Sequence, residues 1–527
     1  MTTVLIGVFA LLITLTNSIG FFVGLLNRPA GTVYLGTIHY FEDYFLYINH
    51  FFQGASGAFL TTNRYTSEET PVSFLYWTDV FMGRLGGLIG LSPITSYHVS
   101  LIIITALTIF SMYFLLRRMF PQNTYHALLG FIIALLSTSF LNHIVVNKSP
   151  MWYPFQLWKT PHFAFDRFGG VPHQTLQSLL FFILTMLCFT KNTYSRRLTL
   201  FLIIVISFSL TSINPIQAII FLAAFLATQA VLYFQKKPVS VFKLLVLLFT
   251  IISTFIYMYY LSTTLPHSQA RAWDGLQHTT TTFPFLLLSL GPISIFLLVG
   301  ILPSFLSGNA LFIFSVILVL ATYGLFLTNI PQTIGISNVR IIFPALYPFM
   351  GVITVNGILT ISKKLVKIIP TIVAINIMVL LFVLLSLPTL FWEIQQKIQS
   401  QKDTSDQTLY LSLPIYDMFS ELKTIGQFND VVLANPNTHM DTLLPALSGH
   451  TTYSGHMLLT IRSEEKKLFA QQFFTLHKKD TLQWLKENDI RYILFTPLDG
   501  DINQFLITYP FLKIYKSFGK AAAIFAV

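Results

Sequence analysis

The residues with most chemistry to offer stand early in the chain, in T-I-H-Y-F-E-D-Y-F-L-Y-I-N-H-F-F-Q-G, which begins at Thr37. Phe41, Phe45, Ile48 and Phe52 recur at helical spacing, and His39, Asp43, Tyr47 and His50 recur similarly on another face. Read as a helix, this is an amphipathic element partly buried at the headgroup boundary of a membrane. Glu42 and Asp43 project about 100° apart on such a helix, so one carboxylate can face a cavity while the other faces water. Either both are solvated acids, or one is a general base held near the membrane surface. The same segment goes on to Arg64, Glu68 and Glu69 in L-T-T-N-R-Y-T-S-E-E-T-P.

A second polar stretch, W-K-T-P-H-F-A-F-D-R-F-G-G-V-P-H-Q, carries His162, Asp166, Arg167 and His173. The histidines and the aspartate are metal ligands by type, but their spacing matches no established closed site. A third holds Arg271, Asp274 and His278, and Arg340 stands in S-N-V-R-I-I-F-P-A-L-Y-P. An arginine at the end of an apolar span either snorkels to the interface or grips a phosphate with its planar fork of donors. Both readings stay open on residues alone. No G-x-x-x-x-G-K-[ST], G-x-S-x-G or H-E-x-x-H motif occurs, which argues against an ATP-driven pump, a serine hydrolase and a zinc protease.

The elements that must position these groups are membrane spans. Apolar residues make up 54% of the chain and charged residues only 10%, against about 25% charged in soluble domains. Apolar runs of roughly 18 residues or more, the length that crosses the hydrocarbon core as a helix, recur along the chain. About eleven spans are expected: Val4–Leu26, Tyr97–Leu116, His126–Val145, Thr175–Phe189, Leu198–Leu210, Pro215–Phe234, Phe242–Leu261, Phe283–Phe305, Ala310–Thr328, Ile341–Ile361 and Ile368–Trp392. Asn214-Pro215 reads as a helix-breaking turn. The first run has no basic leader and no small-residue cleavage site, so it is expected to be retained.

The net charge of +11 does not indicate nucleic-acid binding, because the basic residues sit in short clusters between apolar runs. Arg117 and Arg118, then Lys191, Arg196 and Arg197, then Lys236, Lys237 and Lys243, then Lys363, Lys364 and Lys367 all follow even-numbered spans. The positive-inside rule puts that side, and the N-terminus, in the cytoplasm. The polar segments 27–96, 146–174, 262–282 and 329–340 then face outward, as does everything after the last span. The single cysteine, Cys188, lies in an apolar run and excludes an intramolecular disulfide.

Composition divides the chain into a membrane domain, 1–394, with a large first loop at 27–96, and a polar tail, 395–527. In the tail, Val431–Ala434, Arg491–Phe495, Leu512–Tyr515 and Ala521–Phe525 read as strands, and Ser463–Phe474 and Thr481–Asn488 as helices. The alternation suggests a small α/β domain.

This pattern resembles the bacterial GT-C superfamily of polytopic membrane glycosyltransferases. The resemblance rests on a first span followed at once by a large loop with an acidic motif, Glu42-Asp43, and on the Q-G-A-S-G and Y-T-S-E-E stretches of that loop. Asn214-Pro215, the late Arg340 before F-P-A-L-Y-P, and the tail segment L-P-A-L-S-G-H-T-T-Y-S-G-H from Leu444 to His456 extend it.

The resemblance implies transfer of a sugar from a polyprenyl-phosphate donor to a glycan, lipid or protein acceptor at the extracytoplasmic membrane face. Asp43, with Glu42 beside it, would act on the acceptor hydroxyl, and Asp43 is preferred because it shares a helical face with His39 and Tyr47. Arg340, with Arg271, would steady the phosphate leaving group. His39, Tyr47, Glu68, Asp166 and His173 are the further pocket candidates. Many such enzymes add a metal-binding acidic motif; no equivalent is assigned here, and dependence on a divalent metal stays open. The competing classes are a transporter or flippase of lipid-linked sugars and a non-catalytic membrane protein with a binding tail. A transporter places charges within its spans near the midplane, whereas these spans are nearly free of them.

Overall fold

The computed structural model describes residues 2–146, 148–189, 195–476, 481–519 and 522–527. Lys191 and Ala521 lie outside the described residues. The chain divides into two compact units: residues 1–18, 101–260 and 274–396 form one, and 19–100, 261–273 and 397–527 the other.

The first unit is helical. Among the described residues of the whole chain, eight helices are long and apolar enough to cross a membrane, from Val4–Leu26 to Thr371–Gln399, or nine if one bent pair counts as a span. Two more apolar helices, Thr124–Leu136 and Ala310–Phe326, are shorter. The expected count of eleven is therefore not established, although an apolar helix occupies each expected position.

Three expected spans take a different form. The stretch expected to run from Phe283 to Phe305 breaks into Phe283–Leu290 and Ile293–Leu306, bent by 103°. Gly291 adopts a left-handed φ of 69° there, and a Cβ on it would lie 1.8 Å from the Thr138 carbonyl, so a side chain cannot be accommodated. The third span stops at Leu136, and Leu141–Val146 instead pairs antiparallel with Ser149–Pro154. Its β-branched residues, Ile144 and Val145, suit a hairpin as well as a span. Arg340 sits in a 3-10 turn, Asn338–Ile341, ahead of the helix Tyr347–Leu365, rather than opening that helix.

Helix packing in this unit relies on close approach. Gly300 and Gly357 face each other's helix so tightly that an added Cβ would lie 1.8 Å from the Ile353 carbonyl oxygen and 2.1 Å from that of Phe296. Small residues are what allow such contact where lipid removes the hydrophobic drive to associate. Asn214 ends one helix and caps the next, its side chain accepting from the Gln217 amide at 3.2 Å, with Pro215 at the first helical position.

The second unit is mixed. Its sheet has five strands, β1 (Val431–Leu433), β2 (Thr451–Thr452), β3 (Ile490–Phe495), β4 (Lys513–Phe518) and β5 (Ala522–Ala526), in the order β2-β1-β3-β5-β4. Strand β1 runs parallel to β2 and β3, and β5 runs antiparallel to β3 and β4. Phe473, Phe505, Tyr509, Ile493 and Phe525 fill a core against it. The helices expected at Ser463–Phe474 and Thr481–Asn488 are Ser463–Leu476 and Thr481–Glu487.

In the same unit the helix Phe41–Ala55 is enclosed by protein rather than amphipathic at a surface: every residue from Tyr44 to Gly54 is buried. It packs on Trp77–Leu88, where a Cβ on Gly54 would lie 2.0 Å from the Val80 carbonyl oxygen, and on Met440–Ser448.

Candidate functional site

The helix Phe41–Ala55 begins with its two acids. Glu42 and Asp43 occupy its first turn, where the unsatisfied amides and the helix dipole favour negative charge. The body of the helix from Tyr44 to Gly54 is buried, whereas this first turn is partly open. The Asp43 side chain is 49% exposed, and its Oδ1 lies 3.4 Å from Nε2 of His456, which is 5% exposed. A buried imidazole thus holds one oxygen of a carboxylate that solvent still reaches. The other ring nitrogen of His456 accepts from the Leu458 amide at 3.2 Å, fixing the ring. This orientation makes Nε2 the donor toward Asp43.

Further groups surround this turn. Tyr65 is fully buried, with its ring edge-on to His456 at 6.0 Å. Phe41 lies 4.6 Å from the His439 ring. Burial pushes the Asp441 carboxyl up to about 7, against the opposing pull of Lys467, and the charge of Glu42 adds to the rise. Burial lowers His439, partly offset by Glu42 and Asp406. Neither Tyr65 Oη nor Asp441 Oδ2 has a hydrogen-bond partner among the described residues. The site is rich in acids and histidines, yet no group of three or more His, Cys, Asp or Glu among the described residues could hold a metal ion.

His39 lies two residues before the helix, so it does not share the face with Asp43 as expected. It hydrogen-bonds Tyr97 Oη at 2.8 Å and reaches Tyr47 through a ring contact at 5.9 Å. Glu68 is committed elsewhere. Burial would raise it, but Lys466 Nζ at 2.5 Å and the Thr66 hydroxyl hold its carboxyl below the usual range, and Arg462 joins at 3.3 Å. These bonds stitch the Y-T-S-E-E loop to the helix Ser463–Leu476. Arg271 is half-buried in the helix His267–Leu276.

The remaining candidates belong to the helical unit. Arg340 is 41% exposed; its Nε donates to Asp274 Oδ1 at 2.9 Å, and its guanidinium lies over the Trp158 ring at 4.7 Å. Among the described residues no hydrogen bond engages its two terminal nitrogens, so the outer edge of the fork is presented. That is the edge a phosphate would take. His173 stands in the first turn of Pro172–Phe189.

Asp166 is buried on the short helix Ala164–Arg167, close to two groups that the sequence reading left without a role. Arg167 is fully buried, donating to the carbonyls of Pro161 at 2.9 Å, Ala134 at 2.8 Å and Ser137 at 2.5 Å, and stacking 3.2 Å from the Tyr347 ring centroid. Glu393, 3% exposed, accepts from the Thr138 hydroxyl at 2.8 Å and from the amides of Ala164 at 3.0 Å and Phe165 at 2.9 Å.

Sequence reasoning also missed His456 and Asp441. His456 closes the Leu444–His456 segment that carried part of the family resemblance, and this was the one signal that could have pointed to it.

No family model matches the chain, and no curated protein is similar to it in sequence. Solved structures are similar to it. The Archaeoglobus fulgidus oligosaccharyltransferase in its apo form aligns with TM-score 0.50 and 11% identity over 91% of this chain and 69% of that one. The archaeal oligosaccharyltransferase AglB from the same organism, in complex with an inhibitory peptide and a dolichol-phosphate, aligns with TM-score 0.47 and 12% identity, covering 92% and 69% of the two chains. ArnT from Cupriavidus metallidurans bound to undecaprenyl phosphate gives TM-score 0.47 and 12% identity over 100% of this chain and 98% of that one. At such identities the likeness is one of fold, and it rests on the apo oligosaccharyltransferase: this chain is a multi-pass membrane protein with the GT-C fold.

Proposed function

We propose that the protein is a glycosyltransferase that moves a sugar from a polyprenyl-phosphate donor to an acceptor hydroxyl at the extracytoplasmic face of the membrane. The observation that carries this reading is the half-exposed Asp43 carboxylate held by buried His456 at the start of an otherwise buried helix. A carboxylate placed so is fixed in direction yet open to substrate, as a general base must be. In the reaction Asp43 takes the proton of the acceptor hydroxyl. The freed oxygen bonds the anomeric carbon as the carbon–oxygen bond to phosphate breaks, and the electron pair leaves on the phosphate. Arg340, with the outer edge of its guanidinium presented, steadies that charge. The GT-C fold supports the same reading, and the basic clusters support an orientation with the N-terminus in the cytoplasm and the tail outside.

Purified protein in proteoliposomes, given a polyprenyl phosphate carrying a radiolabelled sugar and an extract of cell-envelope acceptors, tests this. Label should pass to the acceptor while free polyprenyl phosphate accumulates. If intact labelled donor instead moves from one leaflet to the other, the protein is a flippase and the enzyme reading is wrong.

A further inference from the structure

Arg340 stands in the 3-10 turn Asn338–Ile341, and the start of that turn is fastened twice to the stretch 274–279. One fastening is Asn338, which is 1% exposed. Its amide oxygen accepts from the Thr279 amide at 2.9 Å, and its nitrogen donates to the carbonyls of Thr279 at 2.8 Å and Phe326 at 3.0 Å. The Ser337 hydroxyl adds a bond to the Gln277 carbonyl. The other fastening is Asp274. Its Oδ2 accepts from the Ser337 amide at 3.2 Å and its Oδ1 from Arg340 Nε at 2.9 Å.

Neither the helix nor the fold explains Asp274. It lies in the last turn of His267–Leu276, where the dipole and the unsatisfied carbonyls disfavour an acid. Its pair with Arg340 is partly exposed on both sides, and such pairs contribute little to stability. Asn338 already anchors the turn. What Asp274 does is select one direction for the guanidinium. That group carries five N–H bonds in a rigid planar fork. Asp274 takes the one on Nε, and the Trp158 ring lies against one face at 4.7 Å. The edge formed by the two terminal nitrogens remains, and it matches two oxygens of one phosphate.

We propose that Asp274 is a positioning residue: it orients Arg340 in advance, so that this edge meets the phosphate of the lipid donor without the side chain first having to be ordered. The proposal rests on the glycosyltransferase reading and adds to it how the leaving-group site is built. Charge and orientation act here with opposite signs. An acid beside an arginine repels an anion, so by charge alone its removal would tighten phosphate binding. By orientation its removal loosens binding, because rotamer freedom must then be lost when the phosphate arrives.

Binding of undecaprenyl phosphate to the full-length protein in phosphatidylcholine nanodiscs, followed by native mass spectrometry, tests this in Asp274→Asn, Arg340→Ala and the double variant. Asparagine keeps the shape, and its one side-chain oxygen can still accept from the Ser337 amide, which turns its NH2 group toward Arg340 Nε. Asp274→Asn should bind about tenfold more weakly at an unchanged melting temperature, and the same change in the Arg340→Ala background should do nothing further, as two groups acting as one unit require. Donor kcat/KM should follow the same pattern. Tighter binding by Asp274→Asn overturns the proposal, because the acid then only dilutes charge. An equal loss in the Arg340→Ala background also overturns it, by making Asp274 part of the scaffold. If undecaprenyl phosphate binds with the expected coupling but no sugar leaves a lipid-linked donor, the glycosyltransferase reading fails alone. If transfer proceeds and Asp274→Asn matches wild type, the positioning role fails alone.

Discussion

Two acid networks in this protein look alike by composition and differ in how far solvent reaches their acids. In the helical unit, Glu393 receives three hydrogen bonds, and Arg167 donates to three carbonyls and stacks on Tyr347. All of these groups are shut away from solvent. In the mixed unit, the Asp43 carboxylate is half-exposed beside the buried His456 imidazole. An enclosed network specifies the scaffold, whereas an acid that solvent reaches is available to a substrate.

Breaking the available network should have the largest effect, and the effect should be on chemistry. Asp43→Asn preserves shape and removes basicity, and turnover is expected to fall about 10²–10⁴-fold with the melting temperature unchanged. Glu42→Gln should be milder, since Glu42 points about 100° away on the helix. Full activity in Asp43→Asn with a dead Glu42→Gln would reverse their roles.

Breaking the enclosed network should cost stability instead. Arg167→Met strands three buried carbonyls and is expected to destabilise by about 3–5 kcal/mol, seen as poor accumulation and early melting. The molecules that do fold should keep their specific activity.

Asp441 sharpens the contrast through pH. Its folded pKa, about 7, lies above the ordinary aspartate value, so the folded state keeps a proton that the unfolded chain has released. The stability this contributes is complete below about pH 4 and is lost as pH rises through 7, on the order of 4 kcal/mol in all. Wild-type protein should therefore melt lower at pH 8 than at pH 5, and Asp441→Asn should remove most of that difference. An unchanged slope in the variant would place the titrating group elsewhere.

Arg340 gives the smallest expected effect. Arg340→Ala should cost about 2–4 kcal/mol in the transition state, measured as donor kcat/KM, and Arg340→Lys should recover only part because the fork is lost. Unchanged donor kinetics in the alanine variant would leave Arg340 as an interfacial anchor paired to Asp274.

Much of the helical framework was legible because apolar runs of spanning length have few alternatives, and the strands at 490–495 and 513–518 were legible from their apolar and β-branched content. The break at Gly291-Pro292 was not, since the apolar composition runs through it and only the left-handed glycine marks it. Asp43 was found from helical spacing and a family resemblance. Its partner His456 was not, because 413 residues separate the two and no local pattern records a contact that tertiary packing makes.

The most direct test compares Asp43→Asn with Glu393→Ala in one preparation, reading specific activity per folded molecule beside melting temperature. Asp43→Asn should lose turnover at an unchanged melting temperature, and Glu393→Ala should melt early while its folded fraction stays active. The opposite pattern, with Asp43→Asn active and folded Glu393→Ala inert, would contradict the assignment of chemistry to the Asp43–His456 pair.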